Sequence, residues 1–298
     1  MKPPFFVVGV HRSGTTVLRL MLNAHPNLAV PFESAFIPEF YRRLEDYGGL
    51  SHQGNVKRLL DDIAEHPFVT RGGLIENPEA ILRRGCASYA ELVDAIFCEY
   101  ARARGKSRWG DKTPGYDLEI PVLNTLFPSC QVIHIVRDGR DVALSLRGVQ
   151  WGSRDLPRVA AEWRWRTATT HKLGAMLGRR FLEIRYEDLV LETEATLARV
   201  CAFLAEPFAE QMLDYAKTAD NELPEASKES HQSALKPPIA GRVFAWRSAM
   251  SKQDQIIFGR VAAPALELFG YEQAPQVEDR FTRYTTRLKT IWYALRSF

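Results

Sequence analysis

Residues 5–24, FFVVGVHRSGTTVLRLMLNA, decide how the rest of this 298-residue chain is to be read. Phe5, Phe6, Val7 and Val8 form an apolar run broken by Gly9, which predicts a buried strand. Residues 16–22 carry apolar Val17, Leu18, Leu20, Met21 and Leu22, which predicts a helix. Residues 10–15 join the two as a short loop. A strand-loop-helix turn of this kind leaves the first N–H groups of the helix without intrahelical acceptors and places the positive end of the helix dipole beside them. Such a turn binds anions. Arg12 adds a fixed cation, Ser13, Thr15 and Thr16 add hydroxyl donors, and Gly14 lets a phosphate approach the backbone.

Residues 9–16 spell G-x-x-x-x-G-T-T, one residue short of the nucleoside-triphosphatase loop, because Thr15 stands where its phosphate-binding lysine belongs. That weakens a grip on a β,γ-phosphate pair with Mg²⁺ and leaves a phosphate seated directly on the loop. The R-S-G-T-T of residues 12–16, within RSGTTVLRLMLNAHPNL, resembles the 5′-phosphosulfate loop of the sulfotransferases that use 3′-phosphoadenylyl sulfate (PAPS), in particular the tyrosylprotein sulfotransferases and related bacterial enzymes. The resemblance implies an α/β chain with a mainly parallel central sheet flanked by helices, in the P-loop-like sulfotransferase fold. It implies PAPS as co-substrate, 3′-phosphoadenosine 5′-phosphate (PAP) as product, and no metal, since fixed cations and helix N–H groups meet the charge.

Size and composition suit such a domain. Hydrophobic residues make up 46% and charged residues 25%, ordinary for a globular chain long enough to bury a large core. A formal charge of +3 is too small to argue for nucleic acid as a partner and suits a local anion pocket. Cys86, Cys98, Cys130 and Cys201 show neither zinc nor disulfide-framework spacing. A single lysine precedes the first strand, and no apolar stretch there is long enough for a signal peptide or membrane span. A cytoplasmic location is expected, unlike the membrane-anchored tyrosylprotein enzymes.

Further motifs follow in order. His25-Pro26 stops the first helix, and Leu28, Ala29 and Val30 read as a second strand. Glu33 follows, at the C-terminal edge where ligands of parallel sheets gather. By resemblance Glu33 is the general base that takes the acceptor's proton; His25 is the second candidate. Residues 40–106, with helical stretches at 56–65 and 89–104, read as an insertion shaping the acceptor pocket. The stretch SRWGDKT resumes the sheet, and by resemblance Lys112 lies near the transferring sulfuryl group, where its charge acts on the leaving oxygen together with Arg12.

Residues 116–127 read as a crossover helix and QVIHIV (131–136) as a buried strand. It ends in Arg137, and Ser145 lies two helical turns further on, so both can converge on one phosphate. This V-R-D-x-R-D-x-x-x-S element matches the family's 3′-phosphate site, except that Val149 stands where the tyrosylprotein enzymes have a further arginine. Two separate phosphate grips suit a 3′,5′-bisphosphorylated nucleotide. Tyr186, in a family-like R-Y-E-D-L element after a strand at 181–185, either lies against the adenine or packs on the next helix. Residues 219–233 are polar and read as a mobile loop, leading to a G-R-x-x-x-W-R-like element in which Arg242 reaches the 3′-phosphate.

The catalytic domain is expected to span residues 1–271. Residues 272–298 form an extension with a basic amphipathic helix, open to packing on its own domain, pairing with a second subunit, or lying on an anionic membrane. The expected activity is sulfuryl transfer from PAPS to a hydroxyl, phenol or amine of an acceptor the sequence does not name. The rival readings are a P-loop kinase or NTPase and a non-catalytic nucleotide-binding protein.

Overall fold

The computed structural model describes residues 2–225, 227–228, 234–236 and 240–273. The predicted helix in the C-terminal extension lies outside the described residues. Five strands form one sheet: β1 (Phe5–Val8), β2 (Leu28–Ala29), β3 (Arg108–Lys112), β4 (Gln131–Val136) and β5 (Phe181–Arg185). Their spatial order is β2-β3-β1-β4-β5, and every neighbouring pair is parallel. The chain begins in the middle of the sheet, goes to one edge at β2, returns to fill the gap at β3, and then crosses to the other side. The C-terminal ends of β1 and its neighbours flank that reversal, the place where open parallel sheets hold ligands.

Burial follows the strand period. All four residues of β1 are buried; Phe6 and Val8 enter one core while Phe5 and Val7 enter the other. The helix α1 (Thr15–Ala24) packs on the second face, slightly longer than the predicted 16–22. It stops at His25, whose extended backbone suits the residue before Pro26. His25 is fully buried, with Nε2 against the Pro207 carbonyl (2.9 Å) and Nδ1 accepting from the Asn27 N–H (3.0 Å). Both ring nitrogens are engaged in holding the turn at the end of the helix.

The predicted insertion is a helical layer on the first face, including Gln53–Glu65 and Tyr89–Ala103. Trp109 of β3 joins it to the sheet, stacking on Phe97 (4.5 Å), meeting Phe127 (5.5 Å) and Phe6 (5.9 Å) edge-on, and donating from Nε1 to Asp94 (2.8 Å). The predicted crossover helix is two pieces, a 3₁₀ turn Pro114–Leu118 and a helix Ile120–Leu126, because Pro121 opens the second and cannot continue the first. The start of the predicted mobile loop is pinned: buried Arg19 of α1 donates to the Glu222 carbonyl (2.8 Å) and pairs with its carboxylate (3.1 Å), to which Asn23 also donates (2.7 Å). All four cysteines are buried thiols outside any disulfide, and burial pushes the Cys98, Cys130 and Cys201 thiols up to about 11. No helix among the described residues is long and apolar enough to cross a membrane.

Replacing Trp109 by Ala removes a buried ring and its hydrogen bond to Asp94, and is expected to cost about 3–5 kcal/mol of unfolding free energy by denaturant titration. A loss below about 1 kcal/mol would show that the helical layer is not fastened to the sheet here.

Candidate active site

The loop between β1 and α1 is shaped by close backbone approach. A Cβ on Gly9 would lie 2.5 Å from the Ile135 carbonyl oxygen of β4. Gly14, the N-cap of α1, has φ +92°, and a Cβ there would lie 2.2 Å from a ring carbon of Tyr186. Glycine is required at residue 14 on both counts. No side chain caps α1, so the N–H groups of its first turn face the loop. The Ser13 hydroxyl is buried and has no hydrogen-bond partner among the described residues, a donor waiting for an acceptor. Arg12 itself has φ +71°, a left-handed backbone unusual for a side-chain-bearing residue and one concentrated at functional sites.

Arg137 leaves the end of β4 and turns toward this loop. Its Nη1 donates to the Arg12 carbonyl (3.2 Å), its Nη2 to the Arg242 carbonyl (3.1 Å), and its guanidinium lies 4.6 Å from the Tyr186 ring centroid. Its Nε is buried without a partner among the described residues. Arg12 Nε donates to Ser145 Oγ (3.0 Å). The residues assigned to separate grips are therefore in contact. Burial, and then the charges of Arg137 and Arg242, lower the Arg12 pKa.

The surrounding sequence explains the convergence. Asp138 caps the helix Gly139–Arg147 and forks with Arg140 (2.9 and 2.7 Å). Arg140 lies 3.5 Å over Trp246, and Asp141 accepts from the Trp246 N–H (2.9 Å). The R-D-G-R-D stretch thus seizes the later segment and brings Arg242 to the loop. Arg147 is engaged with Asp254 (3.2 Å), not with the loop, and Val149 adds no charge. Tyr186 packs on both Gly14 and Arg137, so its ring is a floor of the anion site.

On the other side of the loop, Lys112 ends β3. Fully buried, its Nζ bonds Glu33 Oε1 (2.7 Å) and Thr16 Oγ1 (3.4 Å) and lies 5.1 Å from the Phe32 ring centroid. Burial lowers the Lys112 pKa, against the opposing pull of Glu33. A carboxylate, an ammonium group and the first turn of α1 thus form one chain of contacts. Sequence reasoning missed His11, the residue just before Arg12. Its ring meets Trp151 edge-on (5.8 Å), Trp151 is itself 58% exposed, and among the described residues His11 has no hydrogen-bond partner. Desolvation lowers its pKa; Glu33 and Asp117 pull it up, Arg166 and Lys112 push it down. His11 is exposed to solvent, and the charges that act on it come from the Glu33–Lys112 pair and the bidentate Asp117–Arg166 pair. Its position inside an anion loop was the signal available.

One end of the parallel sheet thus carries this loop, the converging arginines and an adjacent carboxylate-lysine pair. Residues 3–210 match the family model described as "Sulfotransferase family", and the chain belongs to that family. Nodulation protein NoeE of Sinorhizobium fredii is 27% identical, over 98% of this chain and 73% of its own length. A putative protein-tyrosine sulfotransferase of Caenorhabditis briggsae is 24% identical, over 98% and 96%. Among solved structures, the sulfotransferase domain of the Synechococcus PCC 7002 olefin synthase superposes with a TM-score of 0.59 at 26% identity, covering 91% of this chain and 97% of that domain. The kinase and NTPase reading gives way to this family, in which Thr15 in place of lysine is no anomaly.

In low-salt buffer, inorganic pyrophosphate is expected to raise the melting temperature of the wild-type protein, since an anion relieves the repulsion among Arg12, Arg137 and Arg242. Arg137→Gln is expected to lose most of that rise. An equal rise in both would place the anion elsewhere.

Proposed function

We propose that this sulfotransferase takes its sulfuryl group from PAPS and passes it to an acceptor hydroxyl, phenol or amine. The carrying observation is the convergence of Arg12, Arg137 and Arg242 on the N-terminus of α1, with the Glu33–Lys112 pair on its other flank. The residues fit the donor. Orphaned Ser13 Oγ and the first-turn N–H groups suit the 5′-phosphosulfate, with Gly14, Thr15 and Thr16. Arg137, Ser145 and Arg242 suit the 3′-phosphate. The contact of Arg12 with Ser145 supports a role for Arg12 toward both phosphates. Tyr186, flat against Gly14, gives the nucleotide an aromatic surface.

In the reaction the acceptor oxygen attacks sulfur, and the bond from sulfur to the bridging 5′-phosphate oxygen breaks. That oxygen keeps the electron pair, and PAP departs. The hydroxyl proton passes to the Glu33 carboxylate. Lys112 and Arg12 stabilise charge growing on the leaving oxygen, an effect largest in the transition state. Lys112, bonded to both Glu33 and Thr16, is placed to exchange part of its Glu33 contact for donor oxygens, which frees the carboxylate as a base when the donor is seated. His11 and Trp151, in edge-on contact, border the acceptor side and can orient the incoming group. The relatives named as protein-tyrosine sulfotransferases favour a phenolic acceptor.

Glu33→Gln is expected to slow transfer from labelled PAPS by about 10²- to 10⁴-fold, the range for a lost general base, while PAP affinity by calorimetry stays within about threefold. Unchanged turnover would remove Glu33 as the base. Joint loss of turnover and PAP affinity would make its role structural.

A further inference from the structure

Asp111 is fully buried beside Lys112 and touches neither the anion loop nor the acceptor side through any bond recorded among the described residues. We propose that it is a positioning residue, fixing the turn that carries Glu33 to the end of the strand that carries Lys112. This rests on the reading of Glu33 and Lys112 as the reacting pair.

The hydrogen bonds around Asp111 have one consistent direction. The Ser34 hydroxyl donates to Asp111 Oδ2 (2.6 Å), and the Thr113 hydroxyl donates to the same carboxylate (3.3 and 3.4 Å). Thr113 Oγ1 in turn accepts the backbone N–H groups of Ser34 (3.1 Å) and Ala35 (3.4 Å). Since Ser34 Oγ has given its proton to Asp111, Tyr116 donates to it (3.1 Å), and Tyr116 accepts the Ile37 N–H (3.0 Å). Two donor chains, both starting in the backbone after Glu33, thus end on one carboxylate. They hold a turn that is not at rest by itself, because Ala35 has φ +58° without being glycine. Glu33 immediately precedes that turn and Lys112 immediately follows Asp111. The hub therefore sets the 2.7 Å contact between the pair.

The network closes only when Asp111 is ionised. A protonated carboxyl adds a donor facing two hydroxyls that already donate, and one arm must reverse. Burial pushes Asp111 up to about 7, against the bonds from Ser34 and Thr113 and the charge of Lys112, while Glu33 acts in the same direction as burial. The protonation change thus falls within the working pH range. Its effects on stability and function have opposite signs. An acid whose pKa is raised by folding lends most stability below the unfolded carboxylate value, about 3.9, and that contribution is lost as pH rises to about 7. The pair, by contrast, is held best above it.

The test compares wild type with Asp111→Asn, in which an amide donor faces Ser34 or Thr113. Transfer is measured from labelled PAPS to whichever of 4-nitrophenol, N-acetyltyrosine amide and a methyl glycoside the wild type accepts. Asp111→Asn is expected to lower kcat by about 10- to 100-fold, to keep the KM for PAPS within about threefold, and to lose the rise in rate through about pH 7. It should also flatten the fall of stability from about pH 4 to 7. Thr113→Val should lower kcat less and keep the pH-dependent rise, because Asp111 remains. A wild-type rate and pH profile in Asp111→Asn would overturn the proposal, as would loss of PAP binding along with rate. If Asp111→Asn fails to fold, unchanged rates in both Thr113→Val and Ser34→Ala overturn it, and reduced kcat with intact PAP binding supports it. If wild type transfers sulfuryl to no probe, the functional reading fails separately. Crystal structures at pH 5.5 and 8 then decide the hub: a Glu33–Lys112 contact kept at the higher pH and opened at the lower supports it, and an identical contact at both contradicts it.

Discussion

Three guanidinium groups held around one turn of backbone are the constraint on which the rest of this structure depends. Like charges repel, and the charges of Arg137 and Arg242 act on Arg12 in addition to its burial. Such a cluster is suited to an anion, and Asp141, 3.9 Å from Arg137, offsets part of the repulsion within it. The structure holds it by directing Arg137 onto two backbone carbonyls, those of Arg12 and Arg242, so that the arginine which repels its neighbours also positions their main chain. The positive φ of Arg12 is part of the same arrangement.

Much of the remaining architecture serves to bring distant segments to that turn. The parallel order with β1 at the centre puts the ends of β3 and β4 on either side of the loop, so Lys112 arrives from one neighbour and Arg137 from the other. Trp246, held by Arg140 and Asp141, delivers Arg242 from a segment more than a hundred residues later. Arg19 secures the chain near Glu222 in the same manner. The helical layer over Trp109 completes the core on the opposite face and leaves the crevice to the loop. Around the loop stand two groups of side chains, the arginines with Tyr186 on one flank and the Glu33–Lys112 pair on the other.

The parts legible in the sequence were those governed by local rules. The apolar runs of β1 and β4, the strand-loop-helix turn and the helix stop at His25 follow from period, glycine placement and proline sterics, and each stands where expected. The nearness of Arg12 to Ser145 was not legible, because two motifs far apart in the chain give types and spacing but not which atoms meet. The break at Pro121 was present as a signal, yet the surrounding apolar period masked it. His11 and the Asp111 network escaped because their meaning depends on neighbours from several elements: Asp111 reads as a strand residue until Ser34, Thr113 and Tyr116 are seen to converge on it.

The central claim is that one nucleotide is clasped at both of its phosphate ends. The most direct test is calorimetric titration of the protein with PAP and with adenosine 5′-phosphate, which lacks only the 3′-phosphate, at one fixed ionic strength. Charge-assisted contacts from Arg137, Ser145 and Arg242 predict PAP binding tighter by about 100-fold or more. Equal affinities for the two nucleotides would contradict the account.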